Sequence, residues 1–309
     1  MDYTQRTLKE SVGCTGVGLH SGQRVRLTIK PSASNAGIRF VRTDLAGRPS
    51  VKACFENVVD TTLATTLGSN GCRVSTVEHV LAALFGFGID NAVIELDGAE
   101  VPIMDGSAAP FVFLLKSAGI RQQPAPKNFM VIRKPFKVDD GARSVAIYPS
   151  RELKITYTID FDHPLVRNQC FSLNFSGKDF VREISKARTF GFLKDVQMLK
   201  DNGFAKGGSL DNAVVIDENR VLNEDGLRYK DEFVRHKVLD FIGDLSVIGC
   251  PVIGHFVVNK SGHFLNQLML REFTKATDHW KLLSFEHPET ESRERVKLPA
   301  LWLPEPAAA

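Results

Sequence analysis

The chain has 309 residues, 43% hydrophobic and 24% charged, with a formal net charge of +3. That length accommodates two domains of ordinary size, and the balance is that of a globular rather than a disordered or fibrous protein. So slight a positive charge, with no dense Lys/Arg run, argues against a nucleic-acid partner and stays compatible with an anionic small molecule. The five cysteines, Cys14, Cys54, Cys72, Cys170 and Cys250, are odd in number and never in CxxC spacing. They form neither a disulfide framework nor a thiolate metal site, which favours a reducing, cytoplasmic setting. The start of the chain is polar and charged, so no signal peptide is expected, and no apolar run approaches a membrane span.

The first half alternates strand-like and helical text. Residues 16–22 (GVGLHSG) are glycine-rich but lack a full GxGxxG or a following Walker lysine, so a tight hairpin turn is the better reading than a phosphate loop. Residues 25–29 alternate as a half-buried strand ended by Pro31. Residues 77–85 carry apolar side chains at helical spacing and stop at Gly86 and Gly88. A strand over 92–96 turns at Asp97-Gly98, and 111–118 reads as an amphipathic helix. The polar, proline-bearing segment 121–127 is the natural linker, giving one domain over 1–124 and a second over 128–300.

The second half restarts in the same style, with strands at 129–132, 144–148 and 154–159 and an Asp-Gly turn at Asp140-Gly141. A helix over 232–248 is followed by a strand over 252–258 and a helix over 265–276. Residues 193–223 read as an insertion: a short helix, the Gly207-Gly208 pair, then a strand over 213–216. The expected fold class is therefore α+β, with two similar domains, each a sheet with helices packed on one face.

The helix over 232–248 holds the most informative pair. Positions four apart share a helix face, so His236 and Asp240 point the same way, as two ligands for a divalent metal would. His79, on the first helix beside Glu78, would complete three protein ligands with a fourth position open, the stoichiometry of a hydrolytic zinc site. Each residue also has a plainer reading. Ser75-Thr76-Val77-Glu78 fits an N-terminal capping box, and His79 fits a hydrogen-bonded histidine at a helix start. His236, Asp240 and Asp244 recur every fourth residue opposite an apolar stripe, which is the pattern of a solvated helix face. Spacing does not pair His79 with His236. His263, in Ser261-Gly262-His263 after a strand, reads as an exposed loop histidine suited to proton transfer, or as a chance surface residue.

Eight runs carry a resemblance in order along nearly the whole chain: TGVGLHSG at 15–22, VSTVEH at 74–79, GIDNAVIE at 88–95, PIMDGSA at 102–108, ARTFGF at 187–192, VLNEDGLR at 221–228, FVRHKVLD at 233–240 and KSGH at 260–263. In these the chain resembles the UDP-3-O-acyl-N-acetylglucosamine deacetylases, zinc amidases that commit Gram-negative bacteria to lipid A synthesis. The resemblance implies one Zn2+ held by His79, His236 and Asp240 in a cleft between the domains. It implies Glu78 as general base, Thr189 at the oxyanion, and His263, tuned by Asp244, as the cation that donates to the leaving amine. Lys237 would point off the ligand face toward the substrate's phosphates or acyl ester. The acyl chain would run through a βαβ insertion, where Phe192, Leu193, Val196, Gly208 and Ala213 fall, and Phe190 would also bind the substrate. Asp160 and Phe161 would meet uracil, and Arg143 the diphosphate.

The implied substrate is a UDP-linked acylated N-acetylglucosamine. No nucleic acid and no membrane span are expected, while a fatty-acylated substrate is compatible with transient membrane-surface contact. The tunnel lining and the tail after Leu301 are where the chain departs from the family. Two other classes stand beside this reading: a zinc hydrolase for a different amide or ester, and a non-catalytic binder of nucleotide-linked lipids.

Overall fold

The computed structural model describes residues 3–284; the tail after Leu301 and the expected end of the second domain at 300 lie outside them. The first half runs β1 (Thr4–Leu8), β2 (Val12–Val17), β3 (Arg24–Pro31), β4 (Ile38–Arg42), β5 (Ser50–Lys52), β6 (Val58–Asp60), β7 (Thr66–Ser69), β8 (Cys72–Val74), α1 (Glu78–Gly86), β9 (Ala92–Leu96), α2 (Ala109–Ala118) and β10 (Ile120–Pro126). The second half runs β11 (Asn128–Ile132), β12 (Phe136–Asp140), β13 (Arg143–Tyr148), β14 (Lys154–Ile159), β15 (Gln169–Asn174), the single turn α3 (Gly177–Asp179), β16 (Phe190–Phe192), α4 (Leu193–Asp201), β17 (Val214–Ile216), α5 (Glu232–Ser246), β18 (Val252–Ile253), β19 (His255–Asn259), α6 (His263–Lys275) and β20 (Trp280–Ser284).

The molecule is α+β, and its two main sheets repeat one topology. The first has the order β2-β3-β9-β4-β5 and the second β12-β13-β19-β14-β15. In both, the third and fourth strands pair parallel and every other neighbour antiparallel. The helices repeat as well: α1 precedes and α2 follows β9, as α5 precedes and α6 follows β19.

Strand alternation explains the layering. In β3, Val25, Leu27 and Ile29 turn inward while Arg24 and Arg26 face outward, the pattern of a sheet with one face on a core. α2 packs on the first sheet at β2, α5 on the second at β14 and β15, and α6 at β12 and β13, while α1 packs between α2 and α5. Every residue of α1 is buried. A helix apolar nearly all round belongs in a core, and α1 is inserted between the halves. At the α1/α5 crossing a Cβ on Gly243 would lie 2.1 Å from the Glu78 carbonyl oxygen, so only glycine permits this approach.

Two expectations need correction. The supposed linker 121–127 is largely strand: β10 pairs antiparallel with β1, from Thr4↔Pro126 to Leu8↔Ile120. Its prolines are tolerated because this two-stranded pairing is all edge. The single strand expected over 252–258 is two, broken at Gly254, where a Cβ would meet Ile132 at 2.3 Å. The insertion is a β-α-β unit, with β16 and β17 pairing parallel around α4.

Candidate metal centre

α1 and α5 each bring their polar residues to the crossing. His79, His236 and Asp240 are buried, and one ligand atom from each lies within 4.8 Å of the others. The Asp240 carboxylate is 3.5 Å from His79 Nε2 and 3.3 Å from His236 Nε2. The two imidazoles meet edge to face, with centroids 5.1 Å apart. His236 Nδ1 donates to the Ala187 carbonyl at 3.1 Å, which leaves Nε2 as the lone pair aimed at the cluster. Burial pushes His236 down to about 3, so its ring is neutral, as a ligand must be. Burial alone would raise Asp240, but the Lys237 ammonium beside it holds its carboxyl well below the usual range. Two imidazole nitrogens and one carboxylate oxygen, converging and buried, are a donor set that suits zinc.

The helix face expected to be solvated in the plainer reading is thus buried. Asp244 is fully buried and accepts from His263 Nδ1 at 2.9 Å, from Asn266 Nδ2 at 2.8 Å and from the Thr65 hydroxyl at 2.5 Å. His263 begins α6 and is buried, not exposed on a loop. Burial would lower its pKa, but the Asp244 carboxylate beside it raises it to about 9. Glu78 does not close a capping box with Ser75, whose hydroxyl donates to the Ala99 carbonyl. Its carboxylate accepts instead from the Thr65 N–H at 3.1 Å. Burial raises the Glu78 pKa, with His263 and His79 pulling it back, which fits a base working nearer neutrality.

Lys237 does not point off the ligand face: Nζ donates to Asp240 Oδ2 at 2.5 Å. Its ammonium compensates the carboxylate that both histidines share. Thr189 comes from the second half but is set by the first. Its N–H donates to the Gly106 carbonyl at 2.8 Å, and its own carbonyl accepts from Val214. A Cβ on Gly106 (φ 84°) would meet Asn212 O at 2.1 Å, so the PIMDGSA turn fits against the insertion only with glycine there. On the other side Arg188 lies buried against the fully buried Glu232 carboxylate, which accepts from both its N–H and its Nε at 2.9 Å.

An aromatic surface leads away from the cluster. Phe190 packs 6.4 Å from His236 and 5.7 Å from Phe161, and Phe161 packs 5.9 Å from Phe192. Leu193 is exposed and Val196 half-buried on α4, with Gly208 and Ala213 on the return path. Phe161 remains 37% exposed, enough for a planar ligand to reach its ring. Asp160 beside it is paired with Lys260 at 2.6 Å. Arg143 is exposed and occupied by Asp140 across the β12–β13 turn. A cavity of about 270 Å³ lined by Leu81, Phe85, Lys127, Ser246 and Cys250 lies nearer the C-terminal ends of α1 and α5 and contains none of the cluster.

Sequence reasoning missed Thr65. It joins Glu78, Asp244 and His263 through its backbone N–H and one hydroxyl, and sits 179 residues from Asp244. No local pattern marks such a residue. Glu232, Gly106 and Gly243 were also missed, because each acts through a partner distant in the chain.

Residues 5–275 match the family described as UDP-3-O-acyl N-acetylglycosamine deacetylase. Among similar curated proteins, the UDP-3-O-acyl-N-acetylglucosamine deacetylase of Myxococcus xanthus is 55% identical over 289 residues, covering 94% of this chain and 92% of that protein. The protein of the same name from Syntrophus aciditrophicus is 52% identical over 92% of this chain and 90% of its own length. That from Teredinibacter turnerae is 52% identical over 95% and 97%.

Proposed function

The chain belongs to the UDP-3-O-acyl-N-acetylglucosamine deacetylase family, and from that premise we propose that it hydrolyses the N-acetyl group of UDP-3-O-acyl-N-acetylglucosamine with the help of one zinc ion. The products are acetate and the free amine, in the committed step of lipid A synthesis. The observation that carries the metal reading is the convergence of His79, His236 and Asp240 where α1 crosses α5. Zinc bound by these three would supply a Lewis acid and lower the pKa of a water in its open position.

The remaining roles belong to side chains. Glu78, buried and raised toward neutrality, takes a proton from the attacking water. The Thr189 hydroxyl, its backbone fixed between Gly106 and Val214, donates to the oxygen that gains charge as the acetamide carbonyl is attacked. His263 is held protonated by Asp244, and the leaving nitrogen needs a proton that it can give. Phe161, Phe190 and Phe192 offer the face on which uracil and the start of the acyl chain rest, with Leu193, Val196, Gly208 and Ala213 along the chain's path. Asp160, with Lys260, and Arg143, with Asp140, stand for the uridine and diphosphate contacts. No helix among the described residues is long and apolar enough to cross a membrane. We place the reaction in the cytoplasm.

The test is acetate release from UDP-3-O-acyl-N-acetylglucosamine by the purified protein across pH. The expected profile is a bell. Its acid limb lies above the ordinary carboxylate range, where Glu78 becomes the free base, and its alkaline limb near 9, where His263 loses its proton. In Asp244→Asn the alkaline limb moves down toward the ordinary imidazole value of about 6.5. No acetate at any pH would end the proposal; an alkaline limb unmoved by Asp244→Asn would remove His263 from its role. The same shift bears on folding. A histidine raised in the native state contributes stability that is complete below about 6.5 and lost as pH rises through about 9.

A further inference from the structure

Glu100 is a buried carboxylate with no ion pair to lysine or arginine among the described residues. Three donors hold it instead: the backbone N–H groups of His20 and Ser21, each at 2.8 Å, and the Thr76 hydroxyl at 3.1 Å. Burying a carboxylate without a cation is costly unless strong hydrogen bonds replace water, and two peptide N–H groups aimed at one anion are such a replacement. Thr76 is β-branched at φ 57°, a conformation such residues avoid, and it stands immediately before the α1 turn that carries Glu78 and His79. Glu100 therefore ties two segments together: the strained approach to α1 and the turn 18–22.

That turn reaches further. The Leu19 carbonyl accepts from the Gly207 N–H at 3.0 Å and the His20 carbonyl from the Lys206 N–H at 3.2 Å. The His20 ring meets Phe204 edge-on at 5.5 Å. Contact is so close that a Cβ on Gly207 would lie 2.2 Å from the Gly18 carbonyl oxygen, and one on Gly18 would lie 2.3 Å from Glu100 Oε2. The loop thus gripped, residues 204–208, ends the excursion of α4, and α4 has no fully buried residue. A helix that buries so little owes its seat to its two ends. One end is β16; the other is this grip.

We propose that Glu100 is a positioning residue, which locks the turn 18–22 to the start of α1 and so holds the 204–208 loop of the insertion in register to seat the substrate's acyl chain. The inference rests on the reading of the insertion as the acyl-chain path, and the experiment separates the two. Hydrogen exchange at the Lys206 and Gly207 amides needs no substrate. It should quicken in Glu100→Ala by about tenfold or more, and also in Glu100→Gln, whose amide sets an N–H against one of the three donors. Unchanged exchange in both variants overturns the lock.

The acyl part is read from kcat/KM for substrates carrying a long or an acetyl-length 3-O-acyl group. The long-chain value should fall about tenfold or more in Glu100→Ala, chiefly through KM, and the short-chain value less than about threefold. Equal losses on both substrates overturn it. Gly207→Ala pushes the same turn from the insertion side, so the double variant should lose little more than the worse single one; independent, multiplying losses would contradict a shared route. Should the parent protein turn over neither substrate, the proposed reaction fails, while amide exchange still decides the lock.

Discussion

In Glu78→Gln, kcat for acetate release should fall by roughly 10²–10⁴-fold, the span a positioned general base supplies. Zinc content should stay at one ion per chain, because Glu78 is not among the three converging ligand atoms. The folded protein should be no less stable and is expected to melt slightly higher. Burial raises the Glu78 pKa, so its charged form is disfavoured in the native state, and a neutral amide of the same shape removes that cost. The replacement also keeps an oxygen for the Thr65 N–H. Activity and stability thus move in opposite directions, as expected where a group is retained for chemistry rather than folding. A variant that loses activity together with several degrees of melting temperature would mark Glu78 as structural.

His236→Ala should act by the other route and lose the metal. With one of three ligands gone, zinc after dialysis is expected to fall below about a tenth of an ion per chain and kcat/KM to fall by more than about 10³-fold. Asp240 would keep Lys237 at 2.5 Å and His79 at 3.5 Å, so the buried carboxylate is not abandoned and the helix crossing should survive. Circular dichroism unchanged from the parent, with zinc absent, is the expected combination. Full zinc and activity in this variant would contradict the ligand set.

The shared face of His236 and Asp240 on the 232–248 helix was legible because residues four apart on a helix lie on one side. What the chain could not reveal alone is which way that face looks. A polar stripe opposite an apolar one ordinarily meets solvent, and here it meets α1, itself buried over its whole length. The same local logic offered Glu78 a plainer capping role: Ser75 and Glu78 have the capping spacing, but the Glu78 carboxylate bonds to Thr65, thirteen residues upstream. His263 was read as exposed because glycine and serine precede it, and its burial follows from Asp244, nineteen residues away on another helix. The two-sheet repeat was visible only as a similar order of elements. Its shared strand order depends on pairings such as β4 with β9, which are set by tertiary packing. Periodicity located the longer helices and the strands β3, β9, β11, β13, β14, β17 and β19 to within a few residues but passed over β1, β2, β4 to β8 and β20; at 121–127 composition suggested a linker where the chain pairs with β1.

If, as proposed, hydrolysis depends on one metal ion at the α1/α5 crossing, activity must follow the metal. The most direct test is to strip the purified protein with a chelator, return Zn2+ in steps, and record acetate release from UDP-3-O-acyl-N-acetylglucosamine at each. Activity should be absent at the start, rise in proportion to bound zinc and level off at about one ion per chain. Acetate release at the full rate from the stripped protein, with metal below about a tenth of an ion per chain, would contradict it.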